Sequence, residues 1–134
     1  MKLQGVMMVL SVAAVGATVG LATSAASGQA PDAVALSPQM YKVRLENGYV
    51  RVLEYRSHPG EKEPMHSHRP GVVYYLSDYT VRVTDPTGHV TESSRKEGDV
   101  AWRGTTIHAA ENVGTSDGHV LSVELKVALT APEP

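Results

Sequence analysis

The 134-residue chain has no cysteine and no phenylalanine, and it contains one tryptophan, Trp102. Without thiols the chain forms no disulfide and has no lipobox cysteine, and any bound metal must be held by nitrogen and oxygen ligands. Twelve Lys and Arg residues against fourteen Asp and Glu give a formal net charge of −2. No basic patch recurs along the chain, so nucleic acid is not an expected partner.

Charge is also missing from the beginning of the chain, where no charged residue stands between Lys2 and Asp32. Residues 1–26 are predicted to be an export signal peptide, cleaved between positions 24 and 30, because small residues follow the apolar run. The expected product is periplasmic or secreted, with no stable membrane association after cleavage. The alternative is an uncleaved N-terminal membrane anchor, because the run approaches the roughly 20 residues that span a bilayer.

The rest of the chain reads as one small domain. Residues 27–38 are rich in Ala, Ser, Gly and Pro without periodicity, which predicts a flexible linker. Residues 39–128 are predicted to form the domain, and residues 129–134 a C-terminal tail. Eight or so short strands alternate with turn signals such as Asn47-Gly48, which indicates an all-β sandwich or barrel. A small barrel exposes edge strands, so we expect a homodimer.

Three histidines carry the strongest chemical signal. His66 and His68 are one residue apart, and side chains at i and i+2 of a strand point to the same face. His108 lies forty-two residues further on (108 − 66 = 42). A third imidazole, from a strand across a barrel, would provide the third ligand of a metal site. Neutral imidazole binds iron, zinc, nickel and copper well.

The residues around these histidines resemble the two motifs of the cupin superfamily. Gly60, His66 and His68 match the first motif, and the second is matched by Gly98, His108 and Asn112. The resemblance is to the small single-domain cupins. It implies a double-stranded β-helix, or jelly-roll, barrel with a divalent transition metal (Fe, Zn, Mn, Ni or Cu).

The chain departs from the family pattern at the glutamate ligand of the first motif. That position falls on Gly71, Val72 or Val73, none of which offers a donor. The resemblance therefore implies a site of His66, His68 and His108 alone, as in some cupin dioxygenases. It also makes manganese enzymes of the oxalate-degrading type less expected.

The leading interpretation is an exported metal-binding protein. If it is an enzyme, a dioxygenase-like or other metal-dependent reaction on a small molecule is expected. The alternative is a non-catalytic periplasmic module that binds a small ligand or a metal. Tyr75, Trp102 and Arg103 are candidates for the substrate pocket, although Tyr75 and Trp102 also suit ordinary packing and Arg103 an ordinary place at the rim.

The remaining polar residues near the motifs are expected to have no role in the site. Glu61 and Glu63 precede the histidine pair and could swing toward the site as a substitute carboxylate, but a charged loop before a strand is more often solvated, and that is the expectation. Glu111 is expected to point away from the site. The other three histidines stand beside turns and are expected to face solvent: His58, His89 and His119.

Overall fold

A computed structural model describes residues 29–128 of the chain. The expected signal peptide over residues 1–26 and the tail over residues 129–134 lie outside the described residues. Within residues 29–128 no helix has the length and apolarity needed to cross a membrane. The elements are α1 (Ala33–Leu36), β1 (Tyr41–Glu46), β2 (Val50–Ser57), β3 (Lys62–His68), β4 (Gly71–Tyr75), β5 (Tyr79–Thr84), β6 (Val90–Arg95), β7 (Val100–Arg103), β8 (Thr106–Asn112) and β9 (Gly118–Leu125).

The strands form two antiparallel sheets, which confirms the all-β prediction. One sheet has five strands in the order β1-β2-β9-β4-β7, and the other has four in the order β3-β8-β5-β6. Strand β9 shows how each sheet divides its residues, because its buried and half-buried positions alternate along the whole strand. Such alternation places every second side chain inside the barrel.

The interior of the barrel is aromatic and polar rather than aliphatic. Tyr41, Tyr55 and Tyr79 belong to the buried core, and the hydroxyls of Tyr55 and Tyr79 lie 3.3 Å apart. With no phenylalanine in the chain, tyrosine fills the space and brings hydroxyl groups into it. The interior can therefore hold polar chemistry.

The segment expected to be a flexible linker is partly packed against the barrel. Asp32 caps α1 by accepting a hydrogen bond from the Val34 backbone, and Ala33 is fully buried. Asp32 also pairs with Arg51 at 2.6 Å, and Pro31 O accepts a hydrogen bond from Ser67 N on β3. The linker prediction does not hold for residues 31–37. These contacts hold a backbone segment that its composition alone predicts to be flexible.

Three turns show how backbone geometry is matched to residue type. Gly60 and Gly98, which open the two histidine motifs, have φ values of 83° and 90°, a region that disfavours side chains. The Asn47-Gly48 hairpin forms without positive φ, because Asn47 Oδ1 accepts hydrogen bonds from the Tyr49 and Val50 backbones. Hydrogen bonds to the asparagine side chain thus stabilise this turn, and the positive φ angles expected there are not needed.

Gly71, at the start of β4, is in close contact with the neighbouring strand. A Cβ atom at this position would lie 1.9 Å from the backbone oxygen of Val123 on β9. No side chain, including the glutamate of the family motif, fits there without moving the strand.

We predict that Gly71→Ala destabilises the protein by about 3 kcal/mol, since overpacking displaces the backbone of β9. Gly48→Ala is the matched control, because its Cβ would meet nothing within 4 Å. The control should stay within about 0.5 kcal/mol of the native protein. Urea unfolding measures both, and equal midpoints for the two variants would contradict the close packing.

Candidate metal centre

The three motif histidines lie together inside the barrel. His66 and His68 come from β3, and His108 comes from β8, where it is the direct cross-strand partner of His66. The third imidazole therefore arrives from the adjacent strand and not from across the barrel as expected. Nε2 of His66 lies 3.0 Å from Nε2 of His68 and 3.1 Å from Nε2 of His108.

The tautomers of His66 and His68 are fixed by what their Nδ1 atoms contact. Nδ1 of His66 lies 2.8 Å from the carbonyl oxygen of Pro64, which only accepts hydrogen bonds. Nδ1 of His68 lies 2.9 Å from a carboxylate oxygen of Glu124. Both Nδ1 atoms must carry the proton, so both Nε2 atoms present lone pairs to each other. Facing lone pairs repel unless a cation lies between them.

The spacing of these nitrogens suits a single metal ion. Two nitrogens each about 2.0–2.1 Å from a common ion lie roughly 2.9 Å apart at a right angle and about 3.4 Å apart at a tetrahedral angle. The observed separations of 3.0 and 3.1 Å fall within this interval. His66, His68 and His108 also form a group whose ligand atoms all lie within 4.8 Å of one another. The residues present therefore fit a divalent transition metal.

Burial keeps the imidazoles neutral. Removal from water lowers the pKa of His68 to about 4, although the hydrogen bond with Glu124 acts in the opposite direction. Removal from water also lowers the pKa of His108 to about 3, and repulsion from His66 and His68 adds to the effect. At neutral pH both rings keep the lone pair that a metal needs.

A β-bulge brings one acid to the same face as the histidines. On β3 the register advances by three residues between Glu63 and His66, while β8 advances by two between Ala110 and His108. The extra residue reverses the alternation, so Glu63 shares the inner face with His66. Glu63 Oε1 lies 3.9 Å from His66 Nε2, and the side chain is only 3% exposed.

Glu63 was expected to be solvated, and that expectation is wrong. Its Oε1 atom is buried and has no hydrogen-bond partner. Burial raises the pKa of the Glu63 carboxyl, whereas the electrostatic interaction with His66 and the hydroxyls of Tyr41 and Tyr55 oppose the shift. The sequence did contain a signal, since a proline inside a strand, here Pro64, often marks a bulge.

Glu124 on β9 is a second buried acid, and the sequence analysis missed it. Its side chain is fully buried and accepts hydrogen bonds from His68 at 2.9 Å, Arg51 at 2.6 Å and Arg103 at 3.2 Å. Burial alone would raise the pKa of Glu124, but the hydrogen bonds from His68 and Arg51 hold it below its ordinary value. The ionised carboxylate orients the His68 ring, as partners of metal-binding histidines commonly do.

The position of Glu124 accounts for the departure from the family motif. On β9 it stands directly opposite Gly71, and Arg103 on β7 stands opposite Gly71 from the other side. The place where the family carries its glutamate is therefore flanked by a glutamate from the neighbouring strand. That glutamate contacts the Nδ1 side of His68 and leaves Nε2 free.

A cavity of about 390 Å³ adjoins the histidines. His68 and His108 line it, and so do the three sequence candidates Tyr75, Trp102 and Arg103. Arg103 is anchored by Glu124. Trp102 borders the cavity, but its ring does not face it. The residue is 37% exposed and pairs with Val72, so strand alternation turns its side chain to the outer face and not into the core.

The other histidines stay outside the site. His58 pairs with Asp117 on the surface, and His89 is exposed. His119 differs from its expected solvent-facing position, because it is half-buried and lies 2.8 Å from Glu54. Asn112 of the second motif is buried and supports a turn, since its amide donates to Ser116 O and its oxygen accepts from Gly114 N.

Glu111 points away from the site, where its carboxylate pairs with Lys62 and Arg82. This surface acid provides a matched control for the buried Glu124.

Replacing Glu124 tests how much the buried carboxylate stabilises the protein. We expect Glu124→Gln to lose about 3 kcal/mol of unfolding free energy, because the buried Arg103 loses its ion-pair partner and Arg51 keeps only Asp32. Glu111→Gln should lose less than about 1 kcal/mol. Urea unfolding compares the two variants, and a loss in Glu124→Gln no greater than in the control would refute the role of the buried acid.

Comparison with known proteins identifies the fold. No protein-family model matches the sequence, and no curated protein matches it. A cupin domain from Bordetella pertussis Tohama I is 22% identical and superposes with a TM-score of 0.61, covering 75% of this chain and 99% of that one. An uncharacterized conserved protein with a double-stranded β-helix domain from Klebsiella pneumoniae is 26% identical, with a TM-score of 0.51 and coverage of 63% and 73%. These similarities confirm the predicted double-stranded β-helix.

Proposed function

We propose that this protein, which has the fold of the cupin superfamily, binds one divalent transition metal ion through Nε2 of His66, His68 and His108. We further propose that the ion serves a metal-dependent reaction on a small organic molecule in the adjoining cavity. The approach of His68 Nε2 and His108 Nε2 to His66 Nε2, at 3.0 and 3.1 Å, carries the proposal, because the Nδ1 partners of His66 and His68 direct their lone pairs inward.

The chain contributes binding, orientation and proton transfer. A bound divalent ion would supply Lewis-acid polarisation, or oxidation chemistry of the dioxygenase type if it is iron or copper. Three neutral imidazoles leave the full charge of such an ion in place and free positions beside it. Glu124 and the Pro64 carbonyl hold two of the rings in orientation.

Glu63 is suited to moving a proton at this site. Its unpartnered Oε1 lies beside His66, and the residue lines the cavity. A carboxyl whose pKa is raised by burial accepts and returns protons closer to neutral pH than an exposed one. In this proposal Glu63 is a proton acceptor and not a fourth ligand, since the group of converging ligand atoms comprises the three histidines only.

An open cavity favours a site for small molecules over a module that only holds a metal. A barrel that only stores a metal has no need of free space beside the ligands. Here His68 and His108 line a cavity of about 390 Å³, within the range of small-molecule sites. Tyr75 lines this space without closing it. The binding module remains the second candidate.

We predict that His66→Ala, His68→Ala and His108→Ala each weaken zinc or iron binding by at least about 100-fold, because two imidazoles remain. His89→Ala, at an exposed position, and Glu63→Gln should keep the metal. Metal analysis after dialysis at a fixed free-metal concentration gives the result. Equal metal in native protein and His108→Ala would overturn the proposal, and metal loss in Glu63→Gln would make that residue a ligand.

The same measurement repeated against pH tests the state of the ligands. The lowered pKa values of His68 and His108, about 4 and 3, keep the rings unprotonated below their ordinary value of 6.5. Metal should therefore stay bound at pH 6 and be released as the pH falls toward 4. Half-release at or above pH 6.5 would indicate exposed ligands.

Export and self-association are proposals about the surroundings of the site. Secretion of a reporter fused after Ala30 tests the signal peptide, and its retention in the cytoplasm would contradict it.

For the homodimer, the outer faces of β4 and β7 offer paired, exposed apolar side chains, Val72 with Trp102 and Tyr74 with Val100. Sedimentation of the protein shows whether it is a dimer, and Val100→Glu should then favour the monomer.

A further inference from the structure

Unsatisfied polar atoms cluster around the cavity. Among residues 29–128, three buried side-chain atoms lack a hydrogen-bond partner: Glu63 Oε1, Arg95 Nε and Arg103 Nε. All three residues line the same cavity as His68 and His108. Buried polar groups are rarely left unpaired, because each one costs free energy. The two unpaired donors, Arg95 Nε and Arg103 Nε, indicate a ligand that brings acceptor oxygens.

The two arginines approach the cavity from different sheets. Arg95 ends β6 and Arg103 ends β7, and these strands form the edges of the four-stranded and five-stranded sheets. The Arg95 guanidinium lies over the ring of Tyr75, 5.6 Å from its centroid, and makes no hydrogen bond or ion pair within the described part of the chain. Arg103 is held by Glu124 through Nη2, which leaves its Nε–H without a partner.

The chain does not neutralise these guanidinium groups with the acid beside them. Glu63 lines the same cavity, yet no ion pair joins it to Arg95 or Arg103. The Nε edge of a guanidinium is part of the planar donor fork that matches a carboxylate. Arg95 is positioned by Tyr75 and Arg103 by the ion pair of its Nη2 with Glu124, and the Nε–H of each is left without a partner.

We propose that the cavity binds an organic molecule through a carboxylate group held by Arg95 and Arg103. The inference names the ligand class for the site of the proposed function and rests on that function for its biological meaning. The arginine contacts themselves do not require the metal. Because both Nε atoms are buried, binding requires the guanidinium groups to turn toward the cavity.

The rest of the lining favours an organic acid over an inorganic anion. Val73, Val81, Val83, Ala101 and Val120 supply apolar surface to the wall. An apolar wall with a few convergent donors suits a hydrocarbon body with one charged end. Inorganic phosphate could satisfy the same donors but would leave the apolar wall uncovered.

Isothermal titration calorimetry with hexanoate, its neutral amide hexanamide, and inorganic phosphate tests the proposal. Each probe is titrated into native protein with and without a chelator, and into His108→Ala. We expect hexanoate to bind in all three preparations, and hexanamide and phosphate to bind at least about tenfold more weakly.

Arg95→Gln should weaken hexanoate binding by roughly 10- to 100-fold, whereas Arg82→Gln, a surface arginine paired with Glu92, should leave it unchanged. Arg95 is the better variant because it holds no other residue by an ion pair. Arg103→Lys keeps a cation near Glu124 and should weaken binding through loss of the planar fork.

The outcomes separate this inference from the metal proposal. Hexanoate binding that needs the metal and is unchanged in Arg95→Gln would overturn the arginine site while leaving the metal site standing. Binding without any metal affinity would do the reverse. Phosphate binding as tight as hexanoate, or no binding of either anion, would also overturn the inference.

Discussion

The ionised carboxylate of Glu124, buried on the central strand of the five-stranded sheet, connects the parts of the site to one another. It fixes the tautomer of His68, anchors Arg103 at the cavity and pairs with Arg51. Arg51 in turn binds Asp32, which ties the segment before β1 to the barrel. A buried charge of this kind is stable only when its partners are all in place, so the metal site, the cavity wall and the N-terminal segment depend on one another.

The interior of the barrel is more polar than an ordinary hydrophobic core. Its interior carries tyrosine hydroxyls, histidines and two acids, and the apolar side chains form only part of the wall. Such an interior gives up hydrophobic burial, and the ion pairs and hydrogen bonds around Glu124 offset part of that loss. Three polar atoms in this interior remain unpaired, on Glu63, Arg95 and Arg103. The residues that stabilise the barrel are therefore also those that surround the cavity.

The sequence predicted the parts of the site that obey regular strand alternation. His66 and His68 share a face at i and i+2, and the motif position of His108 brought it beside them. Glu63 escaped prediction because the bulge after it reverses the alternation, and Pro64 was its only local sign. Glu124 escaped because its partner His68 is 56 residues away, a pairing that only the order of strands in the sheet determines. The fold itself was predictable from turn signals and motifs.

X-ray absorption spectroscopy of the zinc-loaded protein tests directly whether three imidazoles share one ion. We expect a first shell with nitrogen at about 2.0–2.1 Å and multiple scattering from three imidazole rings. The same spectrum of His108→Ala, loaded at higher zinc concentration, should show two rings at most. A native spectrum with one imidazole or none, or a shell made of oxygen alone, would contradict the three-histidine site.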